Sequence, residues 1–380
     1  MLIPRYFNNL SKILPEGKVL IIYGPRRVGK TTLLNMLLKG TNLKYKIDSG
    51  DNIRIRNILS SEDFNQITEY SSGYDLIIID EAQHIPGIGT GLKIMVDQLP
   101  GLKIIATGSS SFDLEQQIGE PLTGRKRVIT LYPLSQMELN KIHNRFELKE
   151  KLEQFLVFGT YPEVHTASNV EERIELLRDL VDSYLLKDIL GFDRLRSPKQ
   201  LIDMLKLLAF QVGHEVSVHE LAKKVSLNVR TVERYLYLLE KGFVIYKIGA
   251  YSKNPRNEIT KKAKYYFYDN GIRNGIILQF NSLDLRNDAG QLWENFLVSE
   301  RQKYLQYNRL FVNRYFWRSY RQKEIDYIEE SNNSLTAFEF KWGKSKPVIP
   351  NEFIDTYGVV DYSVINRDNY LDFVLSVQAG

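Results

Sequence analysis

The chain has 380 residues, 43% hydrophobic and 26% charged; that length predicts two or three domains, and that balance excludes disorder, collagen and coiled coil as descriptions of the whole. It holds no cysteine, which excludes disulfides and thiolate metal sites, and no apolar run approaches the ~20 residues that span a bilayer. With no leader-like segment, a cytoplasmic protein with no membrane partner is expected. Net charge is +5, but residues 198–268 alone carry 13 basic and 6 acidic side chains. That excess predicts an anion-binding face, with a solvated lysine-rich surface as the alternative.

In chain order, Lys18–Tyr23 is a short β-branched run that reads as a buried strand. Gly24-Pro25-Arg26-Arg27-Val28-Gly29-Lys30-Thr31-Thr32 follows at once, and the apolar periodicity from Thr32 to Lys39 predicts a helix stopped by Gly40. Strand, glycine loop and helix are the context in which G-x-x-x-x-G-K-[ST] is a phosphate-binding loop. The two glycines allow backbone N–H groups to point at phosphates, and the helix N-terminus adds partial positive charge. In this pattern Lys30 reaches the β- and γ-phosphates and Thr31 ligates Mg²⁺. A second predicted strand, Tyr74–Ile79, ends in Asp80-Glu81. An acid there lies at the sheet edge beside the loop, Asp80 holding Mg²⁺ and Glu81 polarising the attacking water.

A third strand, Leu102–Ala106, ends in Thr107-Gly108-Ser109-Ser110-Ser111. These hydroxyls, Ser109 among them, are candidates for contact with the γ-phosphate or its water; a turn that N-caps a helix at Asp113-Leu-Glu is the alternative. Farther on, Arg125, Lys126 and Arg127 cluster after Gly124, and Arg125 is the candidate arginine finger, against a plain solvated loop.

These motifs resemble the AAA+ and STAND-like branch of P-loop ATPases. The chain is similar in particular to a bacterial and archaeal ATPase family whose core is fused to a C-terminal domain of unknown function. The resemblance rests on Gly24–Thr32, Ile79-Asp-Glu-Ala-Gln83, Thr107-Gly-Ser-Ser110 and Leu122-Thr-Gly-Arg125. It also rests on Leu131-Tyr-Pro-Leu-Ser-Gln-Met-Glu138 and Phe158-Gly-Thr-Tyr-Pro-Glu163. It implies ATP as the nucleotide and an ASCE-type sheet with the acidic strand beside the phosphate-loop strand.

Residues 151–197 carry helical periodicity at Leu152, Phe155, Leu156, Leu176, Leu177, Leu180, Val181 and Leu185, predicting a helical connector; Lys187-Asp188-Ile189 resembles a family feature with no derivable role. Helices are then predicted over Leu201–Phe210, Ser217–Val225 (Ser217 as N-cap) and Val229–Glu240, with strands over Phe243–Ile248 and Lys264–Tyr268. That order matches a winged helix-turn-helix. Arg230, Thr231 and Arg234 would face a major groove, and a wing bearing Lys253, Arg256, Lys261 and Lys262 would approach phosphates. Tyr235, Tyr237, Tyr265 and Tyr266 would stack on bases or fill a core. An internal regulatory role for the module is the alternative.

In the last third, Leu292–Glu300 reads as a helix, with strands at Arg314–Arg318, Lys323–Ile328 and Leu335–Lys341 and a turn at Ser331–Ser334. Period two puts Glu339 and Lys341 on one face about 7 Å apart. Asp326 on the neighbouring strand joins them, with Glu324 the substitute acid. Two carboxylates suit Mg²⁺, and a nearby ammonium can stabilise phosphorane charge. The constellation resembles the PD-(D/E)xK fold of restriction-enzyme-like nucleases, which implies Glu294, Asp326 and Glu339 as metal ligands and Asp326, Glu339 and Lys341 as catalytic.

The expected architecture is α/β. It comprises a P-loop ASCE ATPase core (1–150), a helical connector (151–197), a winged helix (198–270) and a restriction-endonuclease-like domain (271–380). The expected function is Mg²⁺-dependent ATP hydrolysis coupled to action on nucleic acid, DNA more than RNA with the choice left open, in a chain compatible with a homo-oligomer. The alternative is a regulatory switch ATPase that recognises a protein partner and carries an inactive nuclease-like domain.

Overall fold

The computed structural model describes residues 2–109, 118–182, 198–252, 263–332, 334–345, 347–358 and 360–375. Ser110, Ser111, the cap at Asp113, Leu185, Lys187-Asp188-Ile189 and the wing cations Lys253, Arg256, Lys261 and Lys262 lie outside the described residues. The chain divides into two compact units. One is residues 5–132 with 241–243; the other is 1–4, 133–240 and 244–380. Residues 133–150, expected with the ATPase core, therefore belong to the second unit.

The first unit is a five-stranded sheet of β1 (Val19–Tyr23), β2 (Tyr45–Ser49), β3 (Leu76–Asp80), β4 (Lys103–Gly108) and β5 (Lys126–Thr130). Its order is β2-β3-β4-β1-β5, with every pairing parallel. Ile21, Ile22, Ile77, Ile78, Ile104 and Ile105 are fully buried, as strands covered on both faces must be. The order corrects the expectation from family resemblance: the acidic strand β3 is not beside β1, because β4 lies between them. Since β4 ends in Thr107, a hydroxyl rather than a second acid separates the Asp80 strand from the phosphate loop.

From residue 133 the second unit opens with helices Gln136–Leu139, Arg145–Glu150, Leu152–Phe158, Pro162–Thr166 and Val170–Leu180. The run then continues as helix Pro198–Phe210, strand β6 (Glu215–Val216), helices Val218–Lys224 and Val229–Lys241, and strands β7 (Ile245–Ala250) and β8 (Ala263–Phe267). Ser217 caps its helix by accepting from Glu220 N. Helix Ala289–Tyr307 leads into β9 (Asn313–Arg318), β10 (Glu324–Ser331), β11 (Ser334–Phe340) and β12 (Asp361–Ile365). All seven strands form one mixed sheet, ordered β12-β11-β10-β9-β7-β8-β6. The join is the parallel pairing of β7 with β9, Gly249 opposite Tyr315 and Ala250 opposite Phe316. Across the expected boundary at residue 270, β6, β7 and β8 thus share a sheet with the C-terminal strands.

Segments 131–138 and 158–163 contribute to a buried polar network in this unit. Lys303 Nζ donates to Glu300 Oε1 (2.7 Å), Leu134 O (3.1 Å) and Thr160 Oγ1 (3.3 Å). Glu300 accepts from Gln136 N, and Asp269 accepts from Thr160 N, each at 2.7 Å. Gly159 has φ +71°, and a Cβ there would lie 2.0 Å from Asp269 Oδ1; the glycine lets the carboxylate reach the Thr160 amide. Buried charges at such density persist only when paired and hydrogen-bonded.

Candidate functional site

In the first unit, the chain turns after β1 into the loop Gly24–Gly29 and helix Lys30–Leu38. Gly29 has φ +91°, and a Cβ on Gly24 would lie 2.1 Å from Leu131 O. Gly29 answers to a left-handed backbone, Gly24 to close approach of the chain leaving β5. Val28 is fully buried and Pro25 buried, while Arg27 and Thr32 are exposed and Arg26 half-buried; Val28 contributes backbone to the loop and its side chain to the core. Lys30 is buried, its ammonium 2.9 Å from both Gly24 O and Pro25 O. Thr31 Oγ1 donates to Asp80 Oδ2 at 3.0 Å, joining the expected Mg²⁺ ligands across two strand ends.

Thr107, one of the candidate hydroxyls for the γ-phosphate or its water, is engaged with the acidic pair. Its Oγ1 donates to Asp80 Oδ1 and accepts from Glu81 N, fixing the acidic pair from the intervening strand. Glu81 is left-handed, φ 50° and ψ 44°, uncommon for a residue with a side chain. Gln83 Nε2 donates to Glu81 Oε2 and, at 3.2 Å, to Ser109 Oγ. Ser109 therefore reaches the acid through Gln83. Arg125 does not join this site. It precedes β5 at the end where Val19 N donates to Arg125 O, and its Nε pairs with Asp97 at 2.7 Å. The loop lies at the other end of β1, five residues away, ~16 Å at strand rise. Arg125 is thus no finger for its own chain's loop.

Sequence reasoning missed two supports. Arg5, 4% exposed, donates to Val28 O and Tyr132 O at 2.6 Å each, tying the loop to the end of the sheet. Gly50 N donates to Asp80 O, and a Cβ there would lie 2.3 Å from Glu81 O. Only the glycine at the end of β2 could have flagged it; Arg5 gives no local signal.

In the second unit, Lys341 Nζ lies 2.6 Å from Glu339 Oε1, and Asp326 Oδ2 accepts from Phe340 N at 2.8 Å. The structure thus brings Asp326, Glu339 and Lys341 together. A register shift between Ile325 and Ile328 leaves Asp326 without a ladder partner on β9, and its carboxylate takes the Phe340 amide. Burial, then the charge of Glu294, pushes the Asp326 carboxyl up to about 7. Burial and Asp326 raise Glu339. Burial alone would lower Lys341, but Glu339 and Asp326 outweigh it and raise it. Glu294 is held by Lys264 Nζ (3.0 Å) and Tyr266 OH (2.6 Å), and Lys264 also pairs with Glu324 at 2.5 Å. Among the described residues, no three acidic or imidazole side chains form a group that could hold a metal ion. Glu294, Asp326 and Glu339, the expected metal ligands, do not stand as one such group here: the buried ammonium of Lys264 pairs with Glu294 and Glu324, and half-buried Lys341 holds Glu339.

On helix Val229–Lys241, Arg230, Arg234 and Tyr237 are exposed with Glu233 on one face, and Thr231 is half-buried. Tyr235, Tyr265 and Tyr266 are buried. They belong to the core and cannot stack on bases; Tyr237 is the exposed tyrosine of the four.

Residues 16–140 match the AAA domain family. With the parallel sheet and glycine loop, this makes the segment an AAA-type P-loop ATPase domain. Residues 149–284 and 289–367 match two domains of unknown function, DUF8612 and DUF4143. The chain is 28% identical over 294 residues to an uncharacterized protein of Haemophilus influenzae, covering 71% of this chain and 72% of that one. It is 24% identical over 325 residues to one of Methanocaldococcus jannaschii, covering 79% and 70%. Among solved structures it is similar to the Walker-type ATPase PABY2304 of Pyrococcus abyssi (16% identity, TM-score 0.46, 68% and 91% covered). It is also similar to domain III of the Thermotoga maritima replication initiation protein DnaA (18%, TM-score 0.28, 58% and 83% covered). No described helix is long and apolar enough to cross a membrane.

Proposed function

We infer that this protein hydrolyses ATP with Mg²⁺ and uses the cycle to act on nucleic acid. The observation that carries the ATPase reading is the Thr31–Asp80 contact beside buried Lys30, with Glu81 fixed through Thr107 and Gln83. Thr31 and Asp80 offer the hard oxygens Mg²⁺ prefers and would hold it; bound there, the ion neutralises phosphate charge. Lys30 would exchange its loop carbonyls for β- and γ-phosphate oxygens. Glu81 Oε1, with Oε2 tethered by Gln83, would accept the proton of the attacking water. Glu81→Gln should bind ATP yet turn over roughly 10²-fold more slowly or worse, and Lys30→Ala should lose binding or turnover. Unchanged hydrolysis in both variants overturns the assignment.

The nucleic-acid reading draws on the helix-strand-helix-helix-hairpin order of a winged helix and on exposed Arg230 and Arg234. ATPase turnover with and without a panel of DNA and RNA tests it. The second reading, a switch ATPase with a non-cleaving nuclease-like scaffold, is favoured by Lys264 between Glu294 and Glu324. Under it, nucleic acid leaves turnover unchanged and no substrate is cut in Mg²⁺ or Mn²⁺.

A further inference from the structure

The second unit contains a pocket of about 240 Å³ that the reading above does not use. It is lined by His143, Lys151, Gln154, His165, Thr166 and Arg173, with Ile3 and Ile142 as its apolar wall, and no acid lines it among the described residues. These residues come from successive short helices: His143 precedes Arg145–Glu150, Lys151 and Gln154 begin Leu152–Phe158, His165 and Thr166 end Pro162–Thr166, and Arg173 lies in Val170–Leu180. The imidazoles of His143 and His165 stand 6.0 Å apart. Four side chains able to carry positive charge thus surround one small volume.

Their hydrogen bonds are incomplete. His165 Nδ1 and Arg173 Nε are buried with no partner among the described residues. Arg173 lies 5.7 Å from the Phe158 ring, and its one bond, from Nη2 to Ala167 O, is long at 3.4 Å. Lys151 makes no ion pair among the described residues. Glu147 reaches only His143, at 3.6 Å, and its Oε2 is already taken by Asn144 N. Arg173 Nε is a buried donor left unmet, and His165 Nδ1 is a second in the tautomer that carries its proton there; a bound acceptor would remove that desolvation cost.

We propose that this pocket binds a phosphoryl group, as free phosphate or as the head of a phosphomonoester. A tetrahedral dianion presents several acceptors to a guanidinium, an ammonium and two imidazoles at once. The pocket, at about 240 Å³, has room for such a head. Burial, then the charges of His143, Lys151 and Arg173, hold His165 down at about 4 without a ligand, so a bound dianion also relieves repulsion within the cluster.

The test uses the full chain carrying Lys30→Ala, so that the nucleotide loop is disabled, and reads histidine NMR resonances assigned with His143→Gln and His165→Gln. Inorganic phosphate and ribose 5-phosphate are titrated separately, with acetate as the third arm. The expected result is a saturable shift of both His143 and His165 by one or both phosphoryl compounds, weakened ~10-fold or more in Arg173→Ala. Gln154→Glu places a carboxylate in the pocket without removing packing, and should abolish the shift while leaving thermal unfolding unchanged or raised. No saturable shift with either phosphoryl compound, equal shifts with acetate, or undiminished binding in Gln154→Glu overturns the proposal.

Discussion

Glu81 sits in the left-handed backbone region that Glu rarely adopts, at a cost of about 1 kcal/mol. That strain aims its carboxylate at the end of β3, with Gly50 pressed against its carbonyl. Glu81→Gly should leave stability unchanged or raise it by up to about 1 kcal/mol while turnover collapses; a clear loss of stability in denaturant melts contradicts the strain. Gly50→Ala should lower turnover while nucleotide binding persists, read as kcat against ATP Kd. His165 makes a pH prediction. Its folded pKa, about 4, lies below its ordinary 6.5, with His143, Lys151 and Arg173 acting on it and Glu147 paired to His143. Between those values the unfolded chain binds the extra proton, so stability falls as pH drops from 6.5 to 4 and this contribution levels off below. Allowing for its exposed edge, the swing is roughly 1–2 kcal/mol. His165→Gln should flatten that part of the profile in urea melts taken at a series of pH values.

Among the elements, helix Ala289–Tyr307 is tied to its sheet through Arg301. This arginine is 2% exposed and bidentate to Glu329 on β10 at 2.8 Å, and donates to Phe373 O. Arg301→Ala strands a buried carboxylate and should cost about 3–5 kcal/mol, whereas Arg301→Met with Glu329→Met should be far milder. Equal losses in the single and double variants would falsify the pairing argument. The exposed face of Val229–Lys241 carries a prediction of another kind. If it tracks a duplex, Arg230→Ala with Arg234→Ala lowers the salt slope of binding by ~1.8, at ~0.9 per lost phosphate contact, and an unmoved slope excludes this face. The elements themselves were largely legible. Periodicity and caps located β1, β3, β10, β11 and the helix after Ser217 to within a few residues, because those signals are local. Which strand lies next to which was not, since neighbours follow from pairings between distant segments, such as Val19 opposite Lys126 and Gly249 opposite Tyr315. Arg5 at the loop and Lys264 among three acids are side-chain contacts of the same long range, without any sequence pattern.

At the scale of the whole molecule, composition indicated several domains, and pattern suggested a module ending near residue 270. The strands were found, but their ownership was not, because a β-strand's sequence records its burial and not its neighbour. The weld between β7 and β9 is two residue pairs, extended by Tyr251 N donating to Phe316 O at 2.7 Å. Across it, Lys264 on β8 meets Glu294 and Glu324. A fragment cut at 270 should therefore fail to fold, leaving an open edge on β7 and a buried ammonium without its acids; a cooperative melt from 198–270 alone would contradict this. The same weld acts as a lever arm. A pull on the hairpin of β7 and β8 runs through continuous backbone ladder into the strands bearing Asp326 and Glu339, with no loop to absorb it. The amides of Gly249 and Tyr251 should then exchange with solvent only when the whole sheet opens, so a load on the hairpin would speed their exchange and disturb the surroundings of Asp326 together.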